Sequence, residues 1–178
     1  MTTPGPTAVS GSVAARKWGL RFWELADRDR RSETPPGAMV VLSTTNGTRI
    51  IEVAQGAFAI LAGAFVNAHT VADEPAVGAY GERVAVIGCG WEGGWASEDE
   101  SAAGAILCRL RQRGVGLDER AWRVVELYLT CPKTSLRRNS AARRLVRLGY
   151  GRDIDFCLAE NTVPVVPLLE GETFVSRR

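Results

Sequence analysis

The chain has 178 residues, 46% of them hydrophobic and 24% charged, with a formal net charge of +2 at pH 7. That length suits one domain, or one and a half, with a sizeable core, and so small a charge excludes nucleic acid binding through bulk electrostatics. His69 is the only histidine, which excludes a multi-histidine metal site. No apolar run approaches the length of a bilayer span, so a soluble protein is expected, with no membrane partner. Cys89, Cys108, Cys131 and Cys157 lack zinc-ligand spacing and no secretory signal is evident, so reduced thiols in a cytoplasmic protein are expected.

Residues 1–12, made of Thr, Pro, Gly, Ala and Ser, read as a tail without periodicity. Residues 13–37 place Trp18, Phe22 and Trp23 among many charges and end in Pro35-Pro36-Gly37. They admit a helix near 18–30 or a loop, and their aromatics would suit a homo-oligomer contact. The working boundary is therefore a poorly defined segment, 1–37, followed by one domain, 38–178. From residue 38 apolar strands alternate with helices. Met39–Leu42 reads as a strand and Thr48–Gln55 as a helix; Phe58–Ala62 is a second strand, followed by a short helix that Asn67 would cap. Arg83–Ile87 reads as a third strand between Gly81 and Gly88. Ser97–Arg113 is a helix with a Ser97–Glu100 capping box and Ala103, Ile106, Leu107 and Leu110 on one face; Gly114 ends it.

Residues 118–130 form a further helix with Trp122, Val125 and Leu129 on one side. Ala141–Leu148 is helical and stops at Gly149. Asp153–Glu160 adds a turn or two with Ile154, Cys157 and Leu158 inward. Val163–Leu169 contains Pro164 and Pro167 and suits only an edge strand, which Glu170-Gly171 turns toward Thr173–Val175. This order predicts an α/β fold, a three-layer Rossmann-like domain with a largely parallel sheet, incomplete at its N-terminus and carrying a mixed edge strand at its C-terminus. Ligands of such sheets sit beyond the carboxyl ends of the strands, which singles out residues 43–48 and 88–99.

The first of these loops is an anion-site candidate. Thr44, Thr45 and Thr48 offer hydroxyl donors, Asn46-Gly47 supplies a turn, and Arg49 adds a fork suited to phosphate or sulfonate at the start of a helix. The plain alternative is a turn with a helix cap. In the second loop, Gly88-Cys89-Gly90-Trp91-Glu92-Gly93 is a literal G-x-G-x-x-G. Against dinucleotide binding stand the extra residues before the helix and the three carboxylates Glu98, Asp99 and Glu100 in its first turn, which would repel a pyrophosphate. Those carboxylates either stabilise the helix N-terminus or, through Glu98 and Asp99, hold Mg²⁺, which takes one or two carboxylates, several waters and a phosphate oxygen. Arg137, Arg138, Arg143, Arg144 and Arg147 read as a solvated face, with no aromatic residues between them for base stacking. Cys157 reads as core, and Cys89 as the accessible thiol with no visible activating group.

Taken together, the motifs resemble the 2-phosphosulfolactate phosphatase family over residues 38–175. The likeness runs through Thr44-Thr45-Asn46-Gly47-Thr48-Arg49, Gly63 to Asn67, Cys89-Gly90 and Ser97-Glu98-Asp99 with Ala103-Gly104-Ala105. It continues through Arg143-Arg144-Leu145, Gly149, Asp153-Ile-Asp-Phe-Cys157 and Val166-Pro167. The resemblance implies Mg²⁺-dependent hydrolysis of a small anionic phosphate monoester like 2-phosphosulfolactate, on the route to coenzyme M. It implies substrate contacts from Thr44, Thr45, Asn46, Gly47, Thr48, Arg49, Asn67, Cys89 and Gly90, catalytic roles for Arg49 and Glu98, and metal ligation by Glu98 and Asp99. The family's usual N-terminal strand, with its Asp-Val-Leu-Arg-Ala-Thr-like loop, is not matched, so the chain reads as a shortened member. The rival reading is a member that binds a small anion, or assembles with a partner, without turnover.

Overall fold

A computed structural model describes residues 46–76, 80 and 83–177. The tail, the segment 13–37, the strand Met39–Leu42, Thr44 and Thr45 lie outside the described residues. Contacts divide the chain into two units, residues 1–49 and 50–178. Helix α1, Gly47–Val53, spans that division. It begins where the Asn46-Gly47 turn was expected to hand over to a helix.

The second unit contains a 3-10 turn, Phe65–Asn67, then helices α2 (Ala68–Ala76), α3 (Ser97–Gln112), α4 (Glu119–Thr130), α5 (Lys133–Leu136), α6 (Ser140–Arg147) and α7 (Gly151–Cys157). Strands β1 (Val166–Glu170) and β2 (Thr173–Arg177) close it. α3 is the core helix. Its Gly104, Ala105, Ile106, Leu107 and Leu110 are buried, and it packs against both α2 and α4. Leu110 and Val125 are 1% and 0% exposed, and a buried side chain of that size contributes about 1.5–3 kcal/mol. Both glycine stops form as the sequence indicates. Val115 N–H bonds Leu110 O at 3.1 Å after α3, and Tyr150 N–H bonds Leu145 O at 2.8 Å after α6, the bond that closes a Schellman motif.

The inward face of α4 differs from expectation. Ala121, Val124, Val125 and Tyr128 pack toward the core, whereas Trp122 and Leu129 are 43% and 63% exposed. The cause is Gly104: a Cβ there would lie 2.4 Å from Tyr128 Cβ and 2.8 Å from the Val124 carbonyl oxygen. The two helices approach on the small-residue stripe, not on the most apolar one, and Trp122 turns outward beneath the Arg111 guanidinium, 4.3 Å from its ring centre. Gly104→Ala would force the helices apart at a cost of about 1–3 kcal/mol. Cys157 is likewise exposed, not core; Ile154 is the buried residue of α7.

The described residues combine helices with a small antiparallel sheet and do not show the expected parallel ladder. Among the described residues the only sheet is the antiparallel pair β1–β2, with Leu168 opposite Val175. On its other side β1 meets residues 60–62 through an antiparallel bridge between Leu61 and Leu168, with Ala62 N–H to Pro167 O at 3.0 Å and Leu169 N–H to Ile60 O at 2.9 Å. β1 is therefore flanked on both sides, a correction to its reading as an edge strand. Pro167 cannot return the second bond of its pair with Ala62. Asn67 Nδ2 supplies the missing donor, reaching Ala62 O at 3.2 Å and Val165 O at 3.1 Å. Residues 83–87 form no ladder among the described residues: Val86 packs on the core, while Val84 and Ile87 are 41% and 50% exposed. A parallel strand needs covered faces and a neighbour, and the strand expected at 39–42 lies outside the described residues.

Candidate active site

The clearest polar assembly is the head of α3 and the loop that leads into it. Trp91 and Gly94 exchange both backbone hydrogen bonds, at 3.0 and 2.8 Å. The residues between them, Glu92 and Gly93, have φ of 50° and 80°, the two-residue type I′ hairpin turn. The glycine-rich stretch is thus a hairpin and not a phosphate-cradling turn that opens a helix, which removes the dinucleotide reading. At the hairpin base Gly90 has φ 68°, and a Cβ there would sit 2.4 Å from the Gly94 carbonyl oxygen. Only glycine closes this base.

Asp99 ties the hairpin to the helix. Gly90 N–H donates to Asp99 Oδ2 at 2.6 Å. Burial holds the Asp99 carboxyl above the usual carboxylate range; the Gly90 N–H pulls it back, and the charge of Glu98 pushes it up again. Cys89 is exposed. Desolvation and then the Asp99 carboxylate push its thiol up, the opposite of what an activated nucleophile requires.

The capping box expected at Ser97 and Glu100 does not form. Ala96 is the N-cap and provides no side-chain cap, because Ser97 sits inside the helix and both side chains are drawn elsewhere. Glu100 Oε2 accepts from Trp95 Nε1 at 3.1 Å. Ser97 Oγ lies 3.3 Å from Glu98 Oε2. Asn139 Nδ2 donates to Glu98 Oε2 at 2.8 Å and to Ser97 Oγ at 3.1 Å, while its Oδ1 caps α6 by accepting Ala142 N–H at 2.8 Å. Arg144, one turn further along α6, lays its guanidinium 4.5 Å from the Trp91 ring centre. Asn139, Arg144 and Trp91 were missed as site residues. Asn before Ser140-Ala141-Ala142 is a readable cap signal, but its reach back to Glu98, across 41 positions, leaves no sequence trace.

The other expected residues fall as follows. Asn46 and Gly47 are half-buried, and Thr48 and Arg49 exposed, at the start of α1. Asn67 is 6% exposed; besides its two donated bonds, its Oδ1 accepts Ala64 N–H at 2.8 Å. Its amide is occupied in joining loop to strand, and the first N–H groups of α2 find their cap in Asn161, whose Oδ1 accepts His69 N–H at 2.8 Å.

For Mg²⁺ the donor chemistry fits in part. Glu98 and Asp99 are adjacent carboxylates held by neutral donors, and none of the ion pairs among the described residues involves them. Two negative charges with no guanidinium or ammonium partner among the described residues suit a cation that takes one or two carboxylates and keeps several waters. Among the described residues no grouping of three or more His, Cys, Asp or Glu side chains could enclose a metal fully.

A helix with an acidic start tied to a glycine hairpin, within a domain of helices and a small antiparallel sheet, gives a polar rim at one helix end. The sequence matches the profile of one family, 2-phosphosulpholactate phosphatase, over residues 29–172. It is 33% identical over 164 residues to the probable 2-phosphosulfolactate phosphatase of Carboxydothermus hydrogenoformans, covering 89% of this chain and 68% of that protein. The protein of the same name from Thermotoga petrophila is 32% identical, covering 82% and 63%. That from Gloeobacter violaceus is 36% identical, covering 76% and 57%. The chain belongs to the 2-phosphosulpholactate phosphatase family, and it spans between 57% and 68% of the length of these three relatives. No helix among the described residues is long and apolar enough to cross a membrane.

Proposed function

We propose that the protein hydrolyses a small anionic phosphate monoester, 2-phosphosulfolactate or a close analogue, to the hydroxy acid and inorganic phosphate, with Mg²⁺ as cofactor. Family membership supports the reaction class, and the Glu98–Asp99 pair beneath the Gly90 hairpin, which no ion pair among the described residues neutralises, is the observation that carries the site. In this reaction the ester P–O bond breaks and a P–O bond to a water oxygen forms. The water loses a proton and the departing alkoxide gains one. Such chemistry depends on positioning and charge neutralisation more than on covalent catalysis. Glu98 and Asp99 would hold Mg²⁺, which supplies positive charge to phosphate oxygens when bound. Arg49, with the hydroxyls of Thr44, Thr45 and Thr48 and the Asn46-Gly47 turn, is assigned the phosphate or sulfonate. Cys89 and Gly90 form the rim of the substrate site, without a nucleophilic role for the thiol.

The test is release of inorganic phosphate from 2-phosphosulfolactate by the full chain. The reading expects turnover that needs Mg²⁺ and is lost on chelation. Absence of turnover, or turnover indifferent to both Arg49→Ala and Glu98→Gln, overturns it. The rival is a member that binds the anion without turning it over. Sulfolactate that raises the melting temperature in proportion to its excess over Kd, with no phosphate released from the ester, would establish that alternative.

A further inference from the structure

We infer that Asn139 is a positioning residue that sets the Glu98 carboxylate for the metal and locks α6 to the head of α3. The inference rests on the metal role proposed above for Glu98. Every polar atom of the Asn139 side chain has work on a different element: Oδ1 caps α6 through Ala142 N–H, while Nδ2 bridges Ser97 Oγ and Glu98 Oε2. An amide is the side chain suited to this place. It donates to a carboxylate while accepting from a helix N-terminus, and it brings no charge that would compete with a cation as Arg or Lys would. Holding Oε2 from the side of α6 restrains the carboxylate, and Oε1 is then the oxygen that would be offered to a metal. Residues that orient a metal ligand in this manner are worth about 10–100-fold in metal affinity. The same link fixes the start of α6, from which Arg144 reaches Trp91, so hairpin, ligand and helix are held as one assembly.

The substitution Asn139→Ser separates the two roles. Serine caps a helix about as well as asparagine but is too short to bridge to Glu98. Mg²⁺ alone, titrated calorimetrically into the full chain, should bind Asn139→Ser about tenfold more weakly, while the melting temperature without Mg²⁺ stays close to that of the parent. Asn139→Ala, which loses cap and bridge together, should lower both. Equal Mg²⁺ affinity in the parent and in Asn139→Ser overturns the inference. If the parent takes up no Mg²⁺, the metal reading fails, and the positioning role is judged by nuclear magnetic resonance of the Asn139 side-chain amide. Its resonance should move in Ser97→Ala and in Glu98→Gln; no movement in either overturns the positioning role as well.

Discussion

The two ends of α3 handle charge in opposite ways. At the C-terminal end a single carboxylate, Asp73 of α2, is gripped by two guanidinium groups. Arg109 Nε and Arg113 Nε approach one oxygen at 2.7 and 2.8 Å, and the Nη2 atoms of both arginines approach the other at 2.9 Å. At the N-terminal end Glu98, Asp99 and Glu100 receive, among the described residues, only neutral donors: an amide, a hydroxyl, a backbone N–H and an indole. The acid-at-the-start, base-at-the-end pattern suits the helix dipole at both ends, yet among the described residues only the C-terminal end is neutralised by ion pairs. The carboxyl groups respond accordingly. Hydrogen bonds from Arg113 and Arg109 hold Asp73 well below the usual carboxylate range, whereas burial holds Asp99 above it. One end is a finished structural clamp; the other retains negative charge that a cation can satisfy.

That contrast can be broken by substitution. The largest effect is expected from Glu98→Gln, which keeps an acceptor for Asn139 and removes the charge. Phosphate release should fall by about 100-fold with the melting temperature little changed, and a loss of less than fivefold would return Glu98 to a purely structural role. Next comes Asp73→Asn, which leaves Arg109 and Arg113 facing an uncharged partner. Their side chains are 24% and 47% exposed, so solvent screens much of the interaction. A fall in melting temperature of roughly 2–4 °C at neutral pH is expected, with turnover unaffected.

Acid sharpens the same comparison. Because the folded form holds Asp73 below its unfolded value of about 3.9, its contribution is complete above that pH and drains away as pH falls toward the lower folded value. Asp99 has the opposite sign. With its folded value raised, the contribution present below about pH 4 is lost as pH rises through that raised value. The smallest effect therefore belongs to Asp99→Asn, measured without divalent cations: an unchanged or slightly higher melting temperature at pH 7, since the amide oxygen still accepts Gly90 N–H. A fall as large as that of Asp73→Asn would mean that the two ends do not differ.

Much of the helical framework was legible, because caps, stops and 3.6-residue spacing act locally. Asp118, whose side chain accepts Ala121 N–H, and the glycines after α3 and α6 are single-residue signals of that kind. What escaped were features made by distant partners. Trp122 and Leu129 share an apolar stripe with Val125, but Gly104 on another helix decides which face turns inward. Proline at 167 argued for an edge strand because nothing nearby could replace its missing N–H; the replacement, Asn67, lies 98 positions before the Val165 carbonyl that it also reaches. In the candidate site Glu98 and Asp99 were legible as an acidic helix start, while the hairpin they support and the Asn139 bridge depend on tertiary approach.

The segment around Asn161 also constrains when this fold can be completed. Asn161, with φ 57°, caps His69 N–H and gives its own N–H to Phe65 O at 3.0 Å, while Val163 N–H reaches Val66 O at 2.8 Å. A nascent chain that has emerged only through α7 therefore lacks the groups that finish the start of α2 and those that pair with residues 60–62. Final closure waits for synthesis to pass β1, so a ribosome stalled near residue 160 would display helices whose earliest turns are still exposed to solvent and to proteases.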